Sequence, residues 1–142
     1  LSRIRTEYVD TDKVRFVYKH FAILGPESSR SAEASECATE QGKFWEFHDL
    51  VFKDQTTTHS TLDQEKLTSL ANDIGLDTTA FSECLSSGKY SLQISRESQA
   101  VQALGVRGTP GFLVNGLFVS GAQPFEVFQQ IIEEQLAATA AN

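Results

Sequence analysis

Val106-Arg107-Gly108-Thr109-Pro110, running directly into Gly111-Phe112-Leu113-Val114 and the pair Asn115-Gly116, is the stretch that decides the fold. Proline has no backbone N–H, so Pro110 at the mouth of a strand shapes a turn instead of joining a ladder. Gly108 supplies permissive backbone beside it. Asn-Gly is the strongest short-range signal for a two-residue hairpin, and Leu117-Phe118-Val119 gives the return strand. Gly121-Ala122-Gln123-Pro124 then breaks the hairpin, and Phe125, Phe128, Ile131, Ile132 and Leu136 recur at helical spacing. The order is loop, strand, strand, helix.

Working outward, Asp10-Thr11-Asp12 makes a turn and Lys13 to Phe21 predicts a strand, with Val14, Phe16 and Tyr18 on one face and Arg15, Val17 and Lys19 on the other. Gly25-Pro26 ends it. Ahead of it, Leu1, Ile4, Tyr8 and Val9 share one face of a short helix that no capping residue precedes, which suggests truncation. Beyond Ser28 the pattern is helical, with helices predicted over Ser31 to Gln41, Lys43 to Lys53, Leu62 to Ile74, Asp77 to Ser86 and Tyr90 to Leu104. Gly42, Gly75, Gly88 and Gly105 fall where these should stop, Asp77 suits an N-cap, and Thr61 with Gln64 matches a capping box. Each helix carries one apolar stripe, so the stripes need each other and form a small helical layer. Asp54 to Ser60 reads as a polar loop, and Ala137 to Asn142 as a fraying end.

At 142 residues the chain suits one folded unit with a core of its own, and its apolar share is ordinary for a soluble globule. A formal charge of -7 argues against nucleic acid or an anionic membrane as partner, since both would repel it. No stretch approaches the roughly 20 apolar residues of a bilayer span. Nor does the start of the chain read as a signal peptide, because Arg3, Arg5 and Glu7 interrupt any apolar segment there.

Taken together, strand, helical insertion, Gly-Thr-Pro loop, hairpin and helix resemble the DsbA-like branch of the thioredoxin superfamily. The resemblance rests on Lys13-Val14-Arg15-Phe16-Val17-Tyr18-Lys19-His20-Phe21, on Glu40-Gln41-Gly42-Lys43-Phe44-Trp45-Glu46-Phe47-His48-Asp49, and on Gly105-Val106-Arg107-Gly108-Thr109-Pro110 followed by Val114-Asn115-Gly116. It implies an α/β, thioredoxin-like fold in which residues 1–24 and 105–142 form the thioredoxin-like part and residues 25–104 an inserted helical domain. By that resemblance Pro110 is a cis-proline facing a redox site. Gly108, Thr109 and Pro110 would bind an extended substrate, with Thr109 presenting backbone groups to it. The simpler reading of Thr109 is the extended conformation that any residue before proline prefers. Gly111 stands where a bulkier residue often follows the proline, which suggests a looser loop or room for substrate.

The family exchanges disulfides with unfolded or reduced proteins, usually outside the cytoplasm, through a Cys-x-x-Cys at a helix N-terminus. This sequence has no such motif. In the family it follows a first strand that would sit between Val14-Tyr18 and Phe112-Val114, and without that strand the sheet would carry unpaired backbone groups. Roughly 30 or more residues are therefore expected upstream, a strand plus the first turns of a helix, unless another chain completes the sheet. The expected function is thiol-disulfide oxidoreductase with the redox pair upstream, the 142 residues by themselves being inactive. Its partners would be substrate proteins and a membrane or soluble redox partner, in a periplasmic or otherwise extracytoplasmic setting. Two alternatives keep the fold: a redox-inactive peptide-binding or chaperone-like module, and a glutathione-binding relative of the kappa transferases and isomerases.

Cys37 and Cys84 are too far apart for a local redox motif, and each shares a helix face with apolar neighbours, Ala34 and Ala38 for one, Phe81 and Leu85 for the other. They read either as two buried, reduced thiols or as a structural disulfide between helices, which an oxidising compartment permits. The disulfide is the reading carried forward. His20, His48 and His59 show no metal-ligand spacing with each other or with the cysteines, so neither a metal nor a cofactor is expected. Trp45 reads as core or half-core, and Glu46 and Asp49 as a solvated helix face.

Overall fold

The computed structural model describes residues 2–140; Leu1, expected on a helix face, and Ala141 and Asn142, expected in a fraying end, lie outside the described residues. The chain divides into two compact units, one formed by Leu1–Lys19 with Val101–Asn142, the other by His20–Ala100.

In the first unit, α1 (Ser2–Ile4) continues as a π-helical turn over Arg5–Val9. The hairpin follows the turn chemistry of its sequence: β1 (Gly111–Val114) pairs antiparallel with β2 (Leu117–Ser120), and Gly111 faces Ser120 across the ladder. Asn115 and Gly116 both have positive φ, 47° and 90°, as a type I′ turn requires. Helix α7 (Phe125–Ala140) buries Phe128 and Ile132 against Val119, Ile4 and Tyr8. It is helical through Ala140, so residues 137–140 of the end expected to fray belong to the helix. The Tyr8 hydroxyl donates to Glu133 at 2.8 Å, which fastens the first turns of the chain to α7.

The expected strand at Lys13 to Phe21 is not one. Its side chains alternate as read, with Val14, Phe16 and Tyr18 half-buried and Arg15, Val17 and Lys19 exposed, yet no ladder includes it among the described residues. Alternation follows from facing a core on one side, whereas a strand also needs a neighbouring backbone to pair with. The segment begins instead on the preceding helix end, where Lys13 and Val14 N–H groups donate to the Tyr8 carbonyl at 3.0 and 3.1 Å.

The second unit is helical: α2 (Pro26–Thr39), α3 (Phe44–Thr57), α4 (Gln64–Asp73), α5 (Thr78–Ser87) and most of α6 (Ser91–Ala103). Helix α2 starts earlier than the stripe suggested, because Pro26 occupies the first turn, where its missing N–H costs nothing. Helix α4 is capped by Asp63, whose side chain accepts from Lys66 N–H, in place of the expected Thr61 and Gln64 box. Asp77 caps α5 as expected, accepting from Thr79 and Ala80 N–H. Gly88 closes α5 in the left-handed region at φ 61°. Phe47 of α3 and Phe81 of α5 are fully buried with their ring centroids 5.4 Å apart, and Leu67, Ala71, Ala34 and Ala38 complete the core around them. Two polar clasps tie the connections: Lys43 Nζ donates to the Ile74 carbonyl at 2.6 Å at the end of α4, and the Gln41 amide exchanges hydrogen bonds with the Asp77 backbone at 2.8 and 3.1 Å. A cation there complements the negative end of the α4 dipole.

Candidate functional site: the Gly108-Thr109-Pro110 loop

The loop before β1 is held at both ends. Val106 is 5% exposed, so apolar burial anchors one end. At the other, Gly121 N–H donates to the Pro110 carbonyl at 2.9 Å, extending the hairpin one step past the Gly111 and Ser120 pair. Between these anchors Arg107, Gly108, Thr109 and Pro110 are all exposed, and the Thr109–Pro110 peptide is cis. Among the described residues neither N–H nor C=O of Thr109 takes part in a backbone-to-backbone hydrogen bond. A donor and an acceptor presented on an exposed loop beside a hairpin are what an extended peptide pairs with.

Gly111 does not leave room for a substrate. A Cβ there would stand 3.1 Å from Val106 Cγ1 and 3.2 Å from Phe118 Cε2, so the space that glycine vacates is already filled by these two side chains. The expectation of looseness is therefore corrected: the small residue lets the loop anchor and the Phe118 ring close on the strand.

Cys37 and Cys84 are joined, with an S–S distance of 2.02 Å and Cα atoms 5.9 Å apart across a sequence separation of 47. The bond links α2 to α5 inside the helical core, and both residues are buried. Among the described residues no cysteine is free, so neither unit offers a thiolate nucleophile. No group of three His, Cys, Asp or Glu side chains suited to a metal occurs among the described residues.

The histidines are more constrained than the sequence indicated. His20 is 4% exposed; its ring Nε2 lies 2.9 Å from Glu36 of α2 and its backbone N–H donates to Glu97 of α6 at 3.0 Å. His48 stacks on Phe44 at 5.9 Å and lies 4.7 Å from the Phe52 ring, with Nδ1 2.9 Å from Asp49. Trp45, half-buried, stands edge-on to Phe44 and His48 at 5.0 and 5.4 Å. The supposed polar loop Asp54 to Ser60 is also structured. Helix α3 runs to Thr57, and Asp54 is 8% exposed, bound by Lys66 Nζ at 2.7 Å and by the Ser60 hydroxyl. Those hydrogen bonds, Lys66 foremost, hold its carboxyl below the usual range. No periodicity marks such pairs; a lone acid on an otherwise apolar helix face was the available signal.

The family model described as Thioredoxin matches residues 1–134, and the chain belongs to that family. Its fold is DsbA-like: the crystal structure of oxidised BdbD from Bacillus subtilis covers 96% of the chain at TM-score 0.86 and 23% identity, over 76% of its own length, and that of Wolbachia pipientis alpha-DsbA1 covers 99% at TM-score 0.81 and 21% identity, over 77% of its own length. A thioredoxin-like oxidoreductase from Silicibacter pomeroyi covers 92% at TM-score 0.76 and 27% identity, over 73% of its own length. Among curated relatives, a probable disulfide bond formation protein D from Bacillus cereus is 28% identical over 96% of this chain and 64% of its own length. The Na(+)/H(+) antiporter NhaA 3 of Salinispora tropica is 32% identical over 95% of the chain, which spans 20% of that protein. Among the described residues no helix is long and apolar enough to cross a membrane.

Proposed function

We propose that these residues form the fold and the substrate-docking loop of a thiol-disulfide oxidoreductase acting on proteins, with the redox cysteine pair outside the 142 residues. The observation that carries the reading is the Thr109 backbone, exposed and outside every ladder on a loop anchored by Val106 and Gly121, in a chain similar to proteins of disulfide formation. An upstream thiolate would form a mixed disulfide with a substrate held beside Gly108, Thr109 and Pro110, and a second cysteine would resolve it. The chain spans less than two thirds of the disulfide bond formation protein it matches, which leaves length for such a pair. The Cys37 to Cys84 bond suits a structural crosslink in a periplasmic or otherwise extracytoplasmic compartment. Substrates would be unfolded or reduced proteins, with a membrane or soluble redox partner restoring the active state.

The antiporter relatives favour a second arrangement of the same domain, one joined to a sodium/proton antiporter. The redox reading is tested by refolding of reduced ribonuclease with the longest natural form of the protein and with the 142 residues alone. Oxidation by the long form and none by the short one is expected. Oxidation by neither would favour a redox-inactive peptide-binding module, and turnover of glutathione conjugates a glutathione-binding relative.

A further inference from the structure

The disulfide between α2 and α5 has a carboxylate beside it. Glu40 Oε1 stands 3.9 Å from Cys84 Sγ. A disulfide sulfur carries no proton, so this is an anion set against an electrophilic atom and not a hydrogen bond. The same oxygen accepts from the Tyr90 hydroxyl at 2.5 Å and pairs with Lys89 Nζ at 2.5 Å. Helix stability does not account for the placement, because Glu40 is the C-cap of α2, where the helix dipole disfavours an anion. Lys89 and Tyr90 directly follow Gly88, whose left-handed turn closes α5 just beyond Cys84, and they hold the acid in place. Their hydrogen bonds keep the Glu40 carboxyl below the usual range, so it is charged at neutral pH. Glu36 of α2 adds to the negative field at Tyr90. Of the two sulfur-bearing residues, Cys84 at 7% exposed is the more accessible, against 1% for Cys37.

We propose that Glu40 guards the Cys37 to Cys84 disulfide, its carboxylate repelling an incoming thiolate and slowing exchange at the Cys84 sulfur. In the reaction it opposes, a thiolate attacks Cys84 Sγ, a mixed disulfide forms there, the Cys84 to Cys37 bond breaks, and Cys37 departs as thiolate with the electron pair. A second reductant thiolate then attacks the reductant's sulfur in the mixed disulfide, forming the oxidised reductant and expelling Cys84 as thiolate. A crosslink in a protein that handles thiols is thereby kept out of the exchange. Lys89 offsets part of the charge, which sets the effect at the low end of the Coulombic range.

The test follows reduction of this bond in the whole chain by alkylation and mass, using mercaptoethanesulfonate, mercaptoethanol and cysteamine as anionic, neutral and cationic reductants at equal thiolate concentration. Glu40→Gln keeps the size and an acceptor for Tyr90. It should speed reduction by the anionic thiol about fivefold and by the cationic thiol much less, with the difference closing in roughly 1 M salt. Lys89→Gln should act in the opposite direction and slow the anionic thiol, a sign that local loosening cannot produce. Equal acceleration with all three reductants, no acceleration, or faster reduction in Lys89→Gln would each overturn the proposal.

Discussion

Lys66 Nζ of α4 lies 2.7 Å from Oδ1 of Asp54 near the end of α3, and this pair joins two helices of the helical unit at a carboxylate only 8% exposed. Because the folded pKa is depressed, the pair contributes its full stability above the unfolded carboxyl value of 3.8 and loses it as pH falls through the lower folded value. Lys66→Met leaves the acid without its cation. We expect a lower Tm at pH 7, and a gap to the natural protein that narrows in strong acid. A gap independent of pH would show that the lysine contributes through packing alone.

Tyr8 offers the complementary case. Burial, aided by the Glu133 carboxylate that accepts its hydroxyl, raises the phenol above its ordinary value of 10.0. The associated stability is complete below pH 10.0 and is lost as pH rises through the folded value. Tyr8→Phe should cost about 1 kcal/mol at neutral pH, measured by urea unfolding, and should remove one of the two late-titrating phenols from the ultraviolet titration, leaving Tyr90, which its hydrogen bond to Glu40 pushes up to about 12.

Much of this architecture is legible in the chain, for reasons that differ between segments. Asn115-Gly116 demands a positive-φ turn, and the glycines at 42, 75, 88 and 105 all adopt positive φ, so local backbone chemistry marks the hairpin and the helix ends. Lys13 to Phe21 shows the limit. Its period-two burial is written in the side chains, but pairing depends on a neighbour that no local pattern specifies. Polar clasps such as Asp54 with Lys66 or Glu40 with Tyr90 join residues 12 to 50 positions apart, and in a single sequence each acid resembles any solvated one. Pro110 is legible as a turn-former from its own chemistry, whereas the substrate-facing role of Thr109 and Pro110 comes from the family resemblance alone, and their exposure beside a buried Val106 is what the structure adds.

Gly111→Ala tests the packing at the loop. The added methyl meets Val106 and Phe118 at 3.1 and 3.2 Å and should destabilise by about 1 to 2 kcal/mol. Combining it with Val106→Ala should cost less than the sum of the two single changes, since the second opens the space the first requires. Strict additivity in urea unfolding would contradict this account of the glycine.

The disulfide closes a separation of 47 residues, which in the chain-entropy model is worth about 4 kcal/mol. The paired substitution Cys37→Ala with Cys84→Ala should lower stability by roughly that amount, on the order of the 2 to 5 kcal/mol typical of native disulfides. If it leaves denaturant midpoints unchanged, the crosslink has no structural role and a redox function for the pair itself becomes the better reading.

Hydrogen exchange of a trapped mixed disulfide, formed between the longest natural form of the protein and a reduced substrate protein, tests the central claim most directly. Docking at the Thr109 backbone predicts that slowed exchange relative to the free protein is concentrated in residues 107–111, at the Thr109 amide above all. Protection confined to the helical residues 26–103, with Thr109 exchanging as fast as in the free protein, would contradict it.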